Sequence, residues 1–168
     1  RTMGDKLAAL LALGLAFATA TASEAPSVPR IDAPELARLG PSRVGVATKE
    51  FVDAARNGRS LKVDFWYPAL TAADAAPETY VGRLTAEPPA PATEFTRAGI
   101  AVRGATPAAG RFPLVIVSHG YDNESVLFSW LGENLASKGY VVAAIRHADP
   151  PITDRARFPE TILNRPLD

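Results

Sequence analysis

The residues able to carry chemistry in this chain are few, and most of them sit at the ends of apolar runs. His119 follows Leu114 to Ser118, and His147 follows Tyr140 to Ile145. Around them stand Ser118, Asp149 and Asp168, with further serines at 60, 125, 129 and 137. A serine, an imidazole and a carboxylate are the groups from which an activated nucleophile is built. The spacing of His147 and Asp149, two residues apart before Pro150-Pro151, argues against reading them as a catalytic pair, because an Asp ahead of two prolines is commonly a turn former. His147 is read instead as a pocket wall. Two histidines and no cysteine leave no cluster with metal-ligand spacing, so neither a metal nor another cofactor is expected.

These residues need elements to hold them. Pro113 opens and Gly120 closes the run from Leu114 to Ser118, which reads as a short strand buried on both faces inside a parallel sheet. A helix is expected next, with Asp122 or Asn123 as cap and Glu124 in its first turn. Its apolar stripe is Val126, Leu127, Trp130, Leu131 and Leu135, and Lys138-Gly139 ends it. Tyr140 to Ile145 completes strand, helix and strand, the length of a βαβ unit. The backbone after Gly120 then lies at the carboxyl end of a sheet strand, where open α/β sheets place their ligands.

Upstream, Val44 and Val46, and then Leu61, Val63, Phe65 and Tyr67, alternate with smaller or polar residues at the period of strands. Asn57-Gly58 between them is a hairpin turn signal, so the chain is expected to open on an antiparallel hairpin. Residues 71–110 are rich in Pro and Ala with one candidate strand, Ile100 to Val102, and read as a long surface loop. Tyr80 and Phe95 in it are read as anchors to the core and receive no role. The start of the chain has another texture. With translation beginning at Met3, Lys6, the apolar stretch Leu7 to Phe17 and the small-residue sites up to Ala22 form a secretory signal over residues 1–22. Residues 23–41 read as an extended leader with a short helical possibility at Pro34 to Leu39, and residues 42–168 as the folded part. The apolar stretch of the signal is too short to span a bilayer, so a secreted or periplasmic protein with no stable membrane span is expected. Eighteen basic and eighteen acidic residues balance, which gives nucleic acid no basic field to bind.

The segment from Ser118-His119-Gly120-Tyr121 through Trp130-Leu131, Leu135-Ala136-Ser137-Lys138-Gly139-Tyr140 and Val141-Val142-Ala143-Ala144 resembles the front half of an α/β-hydrolase. It is most similar to the platelet-activating-factor acetylhydrolase and dienelactone-hydrolase-like esterases, with polyester-cleaving cutinases close behind, over about residues 44–168. The resemblance implies a truncated α/β-hydrolase fold, an amino-terminal antiparallel hairpin followed by one parallel βαβ unit. It implies a serine esterase acting on a small-molecule or lipid ester of acetyl, lipid-ester or lactone type. It also implies that His119-Gly120-Tyr121 is the oxyanion-hole turn, with the backbone N–H of Tyr121 as a donor.

The sequence departs from that pattern in one respect. No Gly-x-Ser-x-Gly occurs, so the strained elbow that exposes a nucleophilic serine is absent. Ser118 lies one strand too early in the resembled fold, and Asp168 precedes the place of the nucleophile. The other serines read as hairpin or helix-surface residues. Asn164-Arg165-Pro166-Leu167-Asp168 reads as a cap and the first turn of a helix. The expectation is therefore the amino-terminal part of a larger esterase, whose nucleophile, acid and base lie elsewhere. The alternative is an exported, non-catalytic binding or interaction domain.

Overall fold

The computed structural model describes residues 35–85 and 90–168. The expected signal segment lies outside these residues, as does the leader up to Pro34. Strand β1 (Val44–Asp53) and strand β2 (Arg59–Leu70) form one long antiparallel ladder, from Val44 opposite Pro68 to Asp53 opposite Arg59. Asp53 accepts from the Ala55 N–H at 3.0 Å to start a short 3-10 turn. Asn57 and Gly58 then take φ of 55° and 71°, the left-handed conformations that Asn and Gly tolerate best.

Residues 71–110 are more than a surface loop. Strands β3 (Thr79–Leu84) and β4 (Thr93–Ala98) make a separate two-stranded antiparallel sheet. Pro77 and Pro91 lie outside these strands, so neither removes a ladder hydrogen bond. Strand β5 (Val102–Arg103), in place of the expected Ile100 to Val102, adds parallel to β1, and β6 (Thr106–Pro107) pairs with β2. Tyr80 is buried in the core, and Phe95 packs partly buried against it, the anchoring read from the sequence.

Strand β7 (Leu114–Ser118), helix α1 (Ser129–Ser137) and strand β8 (Val141–Arg146) form the crossover unit, with β7 and β8 parallel and Leu114 opposite Val141. The main sheet runs β5-β1-β2-β8-β7. The crossover therefore places β8 inside and β7 at the edge. This corrects the expectation of a strand buried on both faces: Val115 and Val117 pack on the core, whereas Leu114 and Ile116 are 58% and 63% exposed.

Helix α1 covers one sheet face with a stripe that keeps part of the expected one, since Val126 just ahead of it lies in the core and Leu135 packs against it. Its buried residues are Ser129, Gly132, Glu133, Ala136 and Ser137, while Trp130 is exposed. The helical spacing holds, but the buried positions are small or polar. Trp66 causes this, because its indole fills the space and a Cβ at Gly132 would come within 2.5 Å of it. Glu133 is buried because it has work to do: its carboxylate accepts from the N–H groups of Ile100 and Ala101, from the Tyr80 hydroxyl and from Arg97. Ser125, Ser129 and Ser137 are likewise buried rather than on a helix surface. A 3-10 turn, Ser125–Phe128, leads into α1, and neither Asp122 nor Asn123 caps it.

The end of the chain also differs from expectation. Helix α2 spans Phe158–Asn164, and a 3-10 turn, Arg165–Leu167, follows it. Asn164 closes α2 and also stands at the cap position of the 3-10 turn, with Pro166 at the start of that turn as expected, but its side chain donates back to the Glu160 carbonyl and makes no capping bond.

Candidate active site

Two strands end side by side at the site. Ser118 closes β7 in register with Ile145 of β8, and His147 follows β8 by one residue. Ser118 lies 2.8 Å from Nε2 of His147, and Nδ1 of His147 lies 3.0 Å from Oδ2 of Asp168. A carboxylate can only accept, so the imidazole proton sits on Nδ1 and Nε2 accepts from the serine hydroxyl. The side chains of His147 and Asp168 are 1% and 0% exposed. The sequence reading assigned Asp168 no part in the site and made His147 a pocket wall. The 3-10 turn after α2 instead brings Asp168 onto His147, which is held between two hydrogen-bonding partners.

Asp168 is not left to the imidazole alone. Arg59 grips it through Nε and Nη2, both at 2.8 Å, and Arg56 reaches Oδ1 at 2.8 Å. Burial would raise its pKa, but the bonds from Arg59, His147 and Arg56 prevail and hold it far below the ordinary carboxylate range.

The turn after Ser118 is pinned through its carbonyl groups. His119 is buried, and its Nε2 accepts from the His147 backbone N–H at 3.2 Å. Its proton is therefore on Nδ1, which donates to the Gly120 carbonyl at 2.7 Å. The same carbonyl accepts from the Asn123 N–H at 3.2 Å and from Arg165 Nη2 at 3.1 Å. Arg165 also donates to the His119 carbonyl and is paired with Asp149. Asp149, read as a turn former, is thus the carboxylate that holds Arg165. Burial lowers the His119 pKa, with the neighbouring His147 and Arg165 adding to it, so the ring is neutral.

A peptide group is planar and trans, so its N–H points opposite its C=O. Three donors fix the Gly120 carbonyl, which aims the Tyr121 N–H away from Arg165. The Tyr121 phenol lies 3.3 Å from the Pro151 carbonyl, and its ring meets Phe158 edge to face at 5.0 Å. Burial and the carboxylates of Asp122, Asp149 and Asp154 raise its pKa, which keeps it protonated at neutral pH. Among the described residues no group of His, Asp or Glu could hold a metal ion, and no helix is long and apolar enough to cross a membrane.

Residues 96–156, which include both β7 and β8 and the turn between Ser118 and Tyr121, match the family model of platelet-activating factor acetylhydrolase, isoform II. This stretch is similar to that acetylhydrolase family. Among solved structures the chain is similar to a ferulic acid esterase from Streptomyces cinnamoneus, at 32% identity and a TM-score of 0.48. That similarity covers 66% of this chain and 34% of the other, so the chain spans about a third of the esterase it matches. The arginines of the site, Arg56, Arg59 and Arg165, carry no motif in this sequence. Only the fold brings them to residues 16 to 112 positions away.

Proposed function

We propose that this chain supplies the oxyanion turn of an exported serine hydrolase that cleaves carboxylic esters. A serine alkoxide attacks the ester carbonyl carbon, and the carbonyl π electrons move onto oxygen. The Tyr121 N–H donates to that oxyanion. Collapse of the tetrahedral species expels the alcohol, which takes its proton from a histidine, and water then releases the acid from the acyl-serine. The observation that carries this reading is the convergence of three donors on the Gly120 carbonyl. A donor whose direction is fixed before the substrate arrives needs no reorganisation when charge develops. In this reading the nucleophile, its base and its acid are not among these residues, consistent with the absence of an elbow motif.

The Ser118, His147 and Asp168 row favours a second reading, in which Ser118 itself is acylated. Local sequence ranks it second, because no Gly-x-Ser-x-Gly frame surrounds Ser118. Ser118 is also a regular strand residue, without the positive φ of a strained turn.

A fluorophosphonate probe distinguishes the two. The chain incubated with probe and mapped by peptide mass spectrometry is expected to carry no adduct on Ser118, and p-nitrophenyl acetate turnover is expected to equal buffer. Stoichiometric labelling of Ser118 that His147→Ala abolishes would replace the first reading with the second. In a longer, active form of the protein, Tyr121→Phe is expected to keep most of the rate. Tyr121→Pro, which deletes the N–H, is expected to lose about 10²–10³ in kcat; the opposite order would make the phenol the catalytic group.

A further inference from the structure

We infer that the sheet face opposite α1 carries a binding site for an aliphatic amphiphile with a single anionic head, a medium-chain fatty carboxylate being its simplest form. Directly opposed residues of an antiparallel pair share a face. Ala47, Lys49 and Phe51 of β1 therefore lie on one face with Phe65 and Tyr67 of β2, while Val44, Val46 and Trp66 take the other and form the core. Those five residues and Val141 of β8 floor a hollow of about 640 Å³, within the range of ligand cavities, roughly 300 to 1,000 Å³. Residues 104–107 form its side wall, which the fold holds in place. The Gly104 N–H donates to the Val46 carbonyl at 2.9 Å, the Tyr67 phenol to the Ala105 carbonyl at 2.8 Å, and Thr106–Pro107 pairs with β2. A wall fixed before a ligand arrives adds no ordering cost to binding.

Charge decides which apolar ligand suits the hollow. Lys49 is the one cation on its lining, and among the described residues its side chain has no hydrogen bond or ion pair. No described carboxylate lines it, and the neighbouring Arg103 is already engaged by Glu78 at 2.6 Å. Shape favours a chain over a ring. Lys49 is opposite Val63, and Val141 is level with Tyr67, since Trp66 is opposite Val142. Lys49 and Val141 are thus two strand spacings apart across the sheet and four residues apart along it, roughly 16 Å in all. An alkyl chain spans that length with its head on the ammonium, and it takes Phe51, 52% exposed, out of water. Val141 opens β8, whereas Ser118 and His147 stand by its last residues, so this site does not depend on the oxyanion reading.

Dodecanoate and dodecylammonium are the probes, one alkyl chain with opposite heads, each kept below its micellar concentration. Calorimetry is expected to show dodecanoate bound about fivefold more tightly, the scale of one exposed ion pair. Lys49→Gln is expected to abolish that preference and Lys49→Glu to reverse it. Ala47→Trp, which fills the floor, should weaken both probes about tenfold by displacing apolar contact. Circular dichroism checks the fold of each variant, and because the Lys49 side chain is exposed, its variants carry the test if the tryptophan variant does not fold. No binding of dodecanoate, dodecylammonium bound as tightly, or a preference that survives Lys49→Glu would overturn the site. Sedimentation tests the other occupant: a dimer that Ala47→Trp dissociates and dodecanoate does not would give this face to a second copy of the chain and overturn the proposal as well.

Discussion

The guanidinium of Arg165 lies 3.1 Å from the carbonyl of Gly120, 45 residues earlier in the chain, and this bond couples the end of α2 to the turn after β7. Arg165 also neutralises Asp149, whose side chain is 4% exposed. Arg165→Ala is expected to cost about 3 kcal/mol, because it leaves a buried carboxylate without its partner. Adding Asp149→Asn should recover part of that loss. Urea unfolding measures the cost, and amide hydrogen exchange at Gly120 and Tyr121 should quicken in the single variant. Unchanged exchange would separate Arg165 from the turn.

Acid should unfold the protein in two stages. His119 is held neutral by burial, its pKa lowered from the ordinary 6.5. Its contribution is complete above that value and declines as pH falls through it, because the unfolded chain binds the proton first. The carboxylates of Asp168, Asp64 and Asp149 are also lowered, from 3.8. Their contribution is complete above about pH 4 and is lost below it. Urea midpoints between pH 3 and 8 should show both limbs, and Asp168→Asn should flatten the lower one. Stability that rises on acidification from pH 7 would contradict the assignment.

Glu133 is expected to be the most sensitive buried carboxylate on α1. Its Oε1 accepts from two backbone N–H groups and the Tyr80 hydroxyl, and that hydroxyl accepts from the Trp66 indole at 2.8 Å. Glu133→Ala should cost about 3–5 kcal/mol by stranding these donors and Arg97. Glu133→Gln keeps an acceptor oxygen and should cost roughly half as much. Denaturant titration with tryptophan fluorescence checks the order; equal losses would mean that packing alone decides.

Among the described residues β7 is one edge of the main sheet, since β8 is flanked by β2 and β7. Leu114 and Ile116 make that edge apolar, and such edges promote pairing between chains. Ile116→Lys should reduce self-association in light scattering while leaving the thermal transition nearly in place. Aggregation unchanged by the lysine would locate the sticky surface elsewhere.

The sequence by itself determined several of the local elements, though not the β3–β4 sheet. The Asn57-Gly58 turn, the alternation of β1 and β2, and the strand, helix and strand around His119 are short-range signals of dihedral preference and period, and each appears where the residues place it. The Ser118 to Tyr121 turn was legible for the same reason, as a break between an apolar run and a helix. Tertiary structure decided which face and which edge each element presents. Leu114 and Ile116 look like core residues until the sheet order puts β7 at the edge. The stripe of α1 looks like Trp130 and its neighbours until Trp66 takes the space and Gly132 and Ala136 have to face it. The alignment of Ser118, His147 and Asp168, and the grip of Arg165 on the turn, join groups up to 46 residues apart. Long side chains carry these bonds, and where such a chain reaches depends on how α2 packs, which no local spacing encodes.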